Sequence, residues 1–211
     1  MTDSVPAAPA PPTPSSARPS DRFVAHVHRL CASTQTRAAL RRGLGLPVER
    51  CNYLHRYLVP WLRDHDDQHH GDIRRAYYAV ASLVAARPRS ARDTTPDQSA
   101  PVSWYERSNL GASLGQAVAK GVMKANSAES ALHLMARQSS DAIHPGLPAL
   151  VRQLLSGGIA VDWAVLLEDL AWWNRSRDRI ATRWLESYFR TVGSTTAPDT
   201  APFDSVEEND R

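Results

Sequence analysis

Apolar residues recur at every third or fourth position in most segments of this chain, and no other feature constrains its fold so strongly. In "DIRRAYYAVASLVAAR", Ile73, Tyr77, Val80 and Val84 fall on one side of a helix. No run of β-branched residues alternates with polar ones, as a half-buried strand would require. The sequence therefore predicts an all-α fold, a compact helical bundle of about eight or nine helices.

Three irregular stretches divide the chain. Residues 1–20 carry six of the fifteen prolines and predict a disordered proline-rich arm. Residues 191–211 carry five acids and one base and predict a disordered acidic tail. The third stretch, 88–103, is predicted to be a loop that joins two helical halves, 21–87 and 104–190, of one domain.

Polar side chains mark the predicted starts of three helices. Asp72 and Asp162 are placed to cap the helices that follow them, because a carboxylate accepts hydrogen bonds from the first free amide groups. Asn126, with Glu129 three positions later, has the spacing of a capping box.

Positive charge is concentrated in the predicted domain, residues 21–190. This range holds 23 bases and 16 acids, a net charge of +7 (23 − 16), whereas the whole chain carries +3. Only Lys120 and Lys124 are lysines, and the other bases are arginines, the better bidentate phosphate ligands. A nucleic-acid-binding surface is one interpretation. The other is a solvated basic rim whose high arginine content reflects the codon usage of a GC-rich genome.

No arrangement of residues indicates an active site, so we predict a protein that is not an enzyme. "HDDQHH", residues 65–70, has metal-ligand residue types, but no partner His–Asp pair accompanies it, which favours a solvated loop. His133 and His144 are isolated, and Ser113 lacks the glycines of a nucleophile elbow. We therefore predict no metal, no cofactor and no small-molecule substrate.

Cysteine usage and hydropathy bear on the compartment. Cys31 and Cys51 provide neither a disulfide framework nor a zinc motif. No apolar run approaches the roughly 18 residues of a membrane span, and the N-terminus lacks the pattern of a signal peptide. These features predict a cytoplasmic protein that makes no membrane contact.

The stretch "DLAWWNRSRDRIATRW" places three of the six tryptophans among four arginines. On a helical wheel Trp173 and Trp184 share an inward stripe with the neighbouring aliphatic residues. Trp172 falls beside the arginines, where packing or a subunit contact is favoured over base stacking. Arg177 falls within the apolar stripe. Either its side chain snorkels from the edge of the stripe, or the helix breaks at Asn174 and turns this arginine outward, and the break is the favoured interpretation.

The order of several motifs resembles the CasB family, the small subunit of the type I-E CRISPR Cascade complex. The resemblance covers about residues 22–190 and rests on "ALRRGLG", "RRAYYAVASLVAA", "SLGQAVA", "ALVRQLL", "VDWAVLLEDLAWW" and "RWLESYF". The family often carries an arginine where Ser130 stands here, and Arg137 is the next base along the chain. The segment 137–150, with its two prolines, is longer than usual.

The resemblance implies a non-catalytic antiviral-defence subunit, present as two copies beside the backbone and large subunits of Cascade. Its basic face would steady the target strand and the displaced non-target strand of the R-loop, because such contacts need positive charge but no sequence readout. Guide RNA is a further implied partner. The predicted nucleic-acid-binding residues are Arg41, Arg42, Arg74, Arg75, Arg87, Arg89, Arg137, Arg152, Arg175 and Arg177.

Two alternatives to the Cascade interpretation stay open. "TRAALRRGLGLPVERCNYLHR" allows a helix-turn-helix DNA-binding regulator, with the tight turn at Gly45. A purely structural helical adaptor, whose arginines are a solvated rim, is the other.

Overall fold

The computed structural model describes residues 18–62, 70–88 and 103–196. Within these ranges the chain forms ten α-helices and no strand, which confirms the predicted all-α fold. The predicted arm up to residue 17 and the predicted tail from residue 197 lie outside the described residues. So do residues 89–102 of the predicted loop, with Arg89, and all of "HDDQHH" except His70.

Four helices before the predicted loop surround a shared apolar core. They are α1 (Pro19–Leu30), α2 (Thr34–Arg42), α3 (His55–Leu58) and α4 (His70–Ala85). Phe23 on α1 is fully buried, and its ring centroid lies 4.4 Å from that of Tyr77 on α4. Both residues occupy the apolar stripe of their helix, so the periodicity of the sequence decides how these two helices meet.

Six helices follow the predicted loop. They are α5 (Leu110–Ala119), α6 (Ala125–Ala136), α7 (Ser140–Ile143), α8 (Leu147–Ser156), α9 (Trp163–Ala171) and α10 (Trp173–Thr196). Gly111 on α5 packs against the backbone of Trp184 on α10 so closely that a Cβ atom would overlap its carbonyl oxygen. Glycine at this position is therefore what lets α5 and α10 approach.

The two groups of helices share one hydrophobic core, in which α4 packs against α9. Asp162 caps α9 as predicted, because its side chain accepts hydrogen bonds from the amides of Ala164 and Val165. Asp72 lies inside the first turn of α4 rather than before it, and α6 begins at Ala125 with Lys124 as its N-cap. The predicted caps at Asp72 and Asn126 are therefore wrong.

The Trp-rich stretch has its core stripe where the wheel places it. Trp173 and Trp184 are buried, with ring centroids 4.9 Å apart. The helix is interrupted at Trp172, between α9 and α10, and again at Ser176, where φ is −133°. The predicted break at Asn174 is therefore displaced by two residues in each direction.

Both ends of the helical part extend beyond the predicted boundaries. α1 begins at Pro19, because proline is tolerated in the first turn of a helix. α10 continues to Thr196, so residues 191–196, predicted as the start of the tail, are helical. Val192 packs against the core, which explains why the helix continues past residue 190.

Candidate nucleic-acid interface

A groove lies between α4 and α8 on the surface of the protein. It consists of two adjoining cavities, a narrow one of about 150 Å³ and a wider one of about 320 Å³. Four apolar residues line both cavities, namely Leu44, Leu83, Pro145 and Pro148. We call this feature the α4–α8 groove. It depends on the tertiary packing of four segments: the end of α2 with the loop after it, α4, the turn between α7 and α8, and α8 itself.

Three of the predicted arginines lie along the α4–α8 groove. Arg41 and Arg152 line the wider cavity, and Arg75 lines the narrow one. Arg41 and Arg152 are exposed, and neither forms an ion pair with another described residue. Two guanidinium groups without an acidic partner therefore border an apolar groove, which suits an anionic ligand with apolar parts.

The narrow cavity has a different electrostatic character. Arg75 forms an ion pair with Asp141 on α7. His144, which follows α7, also lines this cavity and is only 7% exposed. Burial, followed by the charge of Arg75, lowers the pKa of His144 to about 4, so the imidazole is neutral at pH 7. Neither ring nitrogen has a hydrogen-bond partner among the described residues.

A second basic region surrounds Asn174. The amide nitrogen of its side chain donates to Asp72 at 3.0 Å, and its oxygen accepts from the Ser140 backbone at 2.8 Å. Asn174 thus ties the start of α10 to α4 and α7. Arg175 follows directly, with its guanidinium 5.6 Å from the Trp172 ring centroid. Trp172, 42% exposed, therefore supports an arginine at the protein surface.

Two further predicted arginines belong near this region: Arg177 is close to it in sequence, and Arg137 precedes Gln138, whose carbonyl accepts a hydrogen bond from Trp173 Nε1 at 2.9 Å. Arg177 points to the surface and forms an ion pair with its neighbour Asp178 at 3.3 Å. Arg137 is exposed at the end of α6. Ser130, which stands where the CasB family often carries arginine, is exposed on the same helix about two turns earlier.

The remaining described candidates are held by intramolecular contacts, and Arg89 lies outside the described residues. The Arg42 guanidinium lies 5.3 Å from the Tyr53 ring centroid. Arg74 contacts His55 Nε2 at 3.1 Å. Arg87 contacts one residue on α1, His28 Nδ1, at 3.0 Å. The structure therefore distributes the ten predicted residues over several environments and does not bring all of them together.

A cluster that the sequence did not reveal joins α1 to α9. Arg107 donates to Asp162 at 2.7 Å and to Asp21 at 2.8 Å. Burial alone would lower the pKa of Arg107, but these hydrogen bonds outweigh it and raise the pKa. The guanidinium groups of Arg107 and Arg18 lie 4.9 Å and 4.1 Å from the centroid of the Trp104 ring. Both guanidinium groups therefore form intramolecular contacts that stabilise the fold.

A second internal cluster fixes α9 against α10. Asp169 is only 4% exposed, accepts a hydrogen bond from Trp184 Nε1 at 2.7 Å and forms an ion pair with Arg183. Burial raises the pKa of Asp169 to about 6, although Arg183 and the Trp184 hydrogen bond act in the opposite direction. The only sequence signal for this cluster was the position of Asp169 on the inner face of the helix.

The segment proposed for a helix-turn-helix does not form one. Gly45 has a φ of +73° and turns the chain after α2. The chain then forms two 3₁₀ turns, Val48–Arg50 and Asn52–Leu54, before α3, which has four residues. A recognition helix must be long enough to present several side chains in the major groove. The alternative of a helix-turn-helix regulator is therefore wrong for this segment.

Together these features define an all-α protein with a basic surface groove. Among the described residues no group of three or more His, Cys, Asp or Glu side chains could hold a metal ion. Within the same part of the chain, no helix is both long enough and apolar enough to cross a bilayer. The family model "CRISPR-associated protein Cse2" matches residues 36–189. The chain therefore belongs to the Cse2 family, which confirms the resemblance to CasB.

Solved structures agree with this assignment. A chain of a "CRISPR RNA-guided surveillance complex" is 40% identical, with a TM-score of 0.71 over 84% of this chain and 95% of that one. A second, described as "pre-nicking", is also 40% identical, with a TM-score of 0.73 over 84% and 96%. M. ruber CasB is 25% identical, with a TM-score of 0.65 over 85% and 97%. No curated protein matches the sequence.

Proposed function

We propose that this protein is a non-catalytic, cytoplasmic subunit of a CRISPR RNA-guided surveillance complex that stabilises the R-loop during antiviral defence. The observation that carries the proposal is the pair Arg41 and Arg152, which border the wider cavity of the α4–α8 groove without an acidic partner among the described residues. Relatives that are 40% identical over most of their length are chains of such a complex, which supports the assignment.

The physical basis of this function is backbone neutralisation. R-loop formation exchanges one duplex for another of similar stability, so contacts to phosphates can tip the balance. Arg41 and Arg152 supply positive charge for contacts to phosphates. Such contacts do not read base edges, so the binding that they support does not depend on sequence. Arg175 and Arg137 are further exposed bases outside the lining of the groove. The proposed partners are guide RNA, target and non-target DNA, a second copy of this chain, and the backbone and large subunits.

The structural-adaptor alternative also has an observation in its favour. Several large apolar side chains are exposed, among them Tyr105 at 86%, Leu134 at 60% and Phe189 at 50%. Exposed aromatic residues are enriched at protein–protein interfaces. An adaptor that contacts protein alone would use these residues and would not need the groove arginines.

The salt dependence of target-DNA binding by the assembled complex separates the two functions. Replacing Arg41 and Arg152 with alanine is expected to weaken binding and to reduce the slope of log affinity against log salt by up to about two units, because each lost phosphate contact removes about 0.9. Arg22→Ala, at an exposed position on α1, is the matched control and should leave the slope unchanged. Normal assembly with an unchanged slope in the double variant would instead favour the adaptor.

A further inference from the structure

Residues 197–211 of this chain have a chemistry that matches the α4–α8 groove. They read "APDTAPFDSVEENDR" and carry five acids and one base, a net side-chain charge of −4 (1 − 5). Phe203 is the only phenylalanine, tyrosine or tryptophan outside the ranges that the structure describes, and Asp204 and Glu207 follow it closely. We call residues 197–211 the C-terminal segment. It combines one aromatic ring with several carboxylates.

The wider cavity of the groove offers the complementary features. Arg41 and Arg152 are exposed there and form no ion pair with another described residue. Every other residue that lines this cavity is apolar. An apolar cavity of about 150 Å³ in another protein binds benzene, so a phenylalanine ring fits a cavity of about 320 Å³. A carboxylate can bind a guanidinium through two parallel hydrogen bonds.

The C-terminal segment begins close to the end of α5. Gly111, near the start of α5, packs against the backbone of Trp184 on α10. Gly115, about one turn later, packs against Thr191. The two helices therefore run in the same direction, and their last turns lie at the same end of the helical bundle. The segment follows directly after the last turn of α10.

α8, which carries Arg152, ends at the same place. Val122, in the turn after α5, packs against Gly157, the residue that follows α8. Arg152 precedes Gly157 by five residues, which is about 7.5 Å along the helix axis. Phe203 follows the end of α10 by seven residues, and an extended chain of this length spans up to about 25 Å. The wider cavity is therefore within reach of Phe203.

We propose that the C-terminal segment occupies the α4–α8 groove of the free chain, with the Phe203 ring in the wider cavity and acidic side chains against Arg41 and Arg152. The segment would thus compete with nucleic acid for these two arginines. This regulatory role rests on the proposed function, because it requires that the same arginines bind phosphates. A strand with one phosphate per nucleotide releases counterions when it binds, and it would displace a segment with only five acids.

Fluorine-19 NMR of the full-length chain labelled with 4-fluorophenylalanine tests the contact. The chain has three phenylalanines, of which Phe23 is fully buried and Phe189 is half exposed, so both serve as internal references. The Phe203 signal is assigned by its loss in Phe203→Leu. At low salt this signal is expected to lie away from its position in the urea-unfolded chain. It should move toward that position at about 1 M salt, which screens the ion pairs.

One groove variant locates the contact. Ala149 is an exposed residue of the lining of the wider cavity, and Ala149→Glu adds a carboxylate that repels the segment. This variant should release Phe203, whereas the control Ala25→Glu, at an exposed position on α1, should not. Thermal unfolding verifies that both variants are folded. A Phe203 signal at its unfolded position in the wild-type chain, or one that Ala149→Glu leaves unchanged, would overturn the proposal. A signal that changes on dilution would instead show binding to a second copy.

Fluorescence anisotropy with oligo(dT) of about 12 nucleotides tests the competition on the free full-length chain. The variant Asp204→Asn, Glu207→Gln is expected to bind this strand about tenfold more tightly. A tethered segment has an effective concentration of about 1 mM, so a contact with a Kd of about 0.1 mM weakens a competing ligand by this factor. The control Glu129→Gln, Glu186→Gln removes as many charges outside the groove lining and should stay within about twofold of wild type.

The outcomes separate this inference from the proposed function. Equal oligo(dT) affinity of the segment variant and its control, or no binding by any of these proteins at low salt, would overturn the competition. A bound Phe203 with an unchanged salt slope in the assembled Arg41→Ala, Arg152→Ala complex would support the contact and overturn the proposed function. An unbound Phe203 with a reduced slope would overturn this inference alone.

Discussion

Arg107 and Arg152 are the same residue type in opposite circumstances. Arg107 donates to two carboxylates, those of Asp21 and Asp162, and its side chain is 22% exposed. Arg152 is exposed at the α4–α8 groove and has no ion-pair partner among the described residues. The first stabilises the contact between α1 and α9, whereas the second contributes no comparable contact to the fold.

This difference shows which arginines a ligand can use. Binding phosphate through Arg107 would require its carboxylate partners to be displaced, at a cost greater than an exposed ion pair contributes. Arg152 needs only to lose water. The pairing of each charged group, and not the total positive charge, therefore identifies the surface to test. Stability measurements on variants of the internal clusters and of the groove arginines test whether the arginines divide into these two groups.

The largest effect is expected at Asp169, because the ionised form of this carboxyl is disfavoured by burial and its pKa rises from 3.8 to about 6. A folded state that holds this proton more tightly than the unfolded state loses stability as pH rises from about 4 to about 6. Asp169→Asn cannot ionise, so its stability relative to wild type should rise over that window by up to about 3 kcal/mol.

Urea denaturation of both proteins at closely spaced pH values measures this difference. The difference in stability should not change with pH below about pH 3 or above about pH 7, because the carboxyl then binds the same number of protons in the folded and the unfolded protein. Asp178→Asn, at an exposed position on α10, is the control and should give a difference without such a rise. A stability difference that stays constant, or that falls with increasing pH, would contradict the assignment of Asp169 as a buried, proton-binding group.

A smaller but still large effect is expected for Arg107→Ala. The variant leaves Asp21 and Asp162 without their partner, and the desolvated carboxylates then repel each other. Because these groups are partly exposed, we expect a loss of about 2 kcal/mol, below the range for a fully buried pair. Urea denaturation at pH 7 provides the value. A loss no greater than that of an exposed ion pair would mean that Arg107 does not differ from the groove arginines.

Local signals predicted the helices well, and tertiary contacts explain the errors at their ends. Asp162 caps α9 as expected because the interaction involves only the next three residues. Asn126 does not cap α6, because the helix begins one residue earlier, at Ala125, whose carbonyl accepts a hydrogen bond from the Tyr188 hydroxyl at 3.2 Å. Asp72 is likewise bound by Asn174 from a distant helix. No sequence pattern encodes these long-range partners.

The groove itself was only partly predictable. Arg41, Arg75 and Arg152 were identified from the charge and from the resemblance to CasB, but nothing in the sequence indicated that they line one groove. His144 was an isolated histidine, and its burial depends on how the turn between α7 and α8 packs against α4. The sequence therefore supplied three arginines of the candidate site, whose binding role stays a prediction, but not their arrangement, which is a property of the tertiary fold.

The smallest effect on stability is expected for the double variant Arg41→Ala, Arg152→Ala. A small effect would distinguish these two arginines from Arg107, which stabilises the fold. Neither side chain forms an ion pair within the described ranges, so their removal should change the free energy of unfolding by less than about 0.5 kcal/mol. Removing two like charges from one groove also relieves their mutual repulsion, which offsets part of any loss. Urea denaturation at two salt concentrations tests this, and a loss close to that of Arg107→Ala would show that the groove arginines serve the fold rather than a ligand.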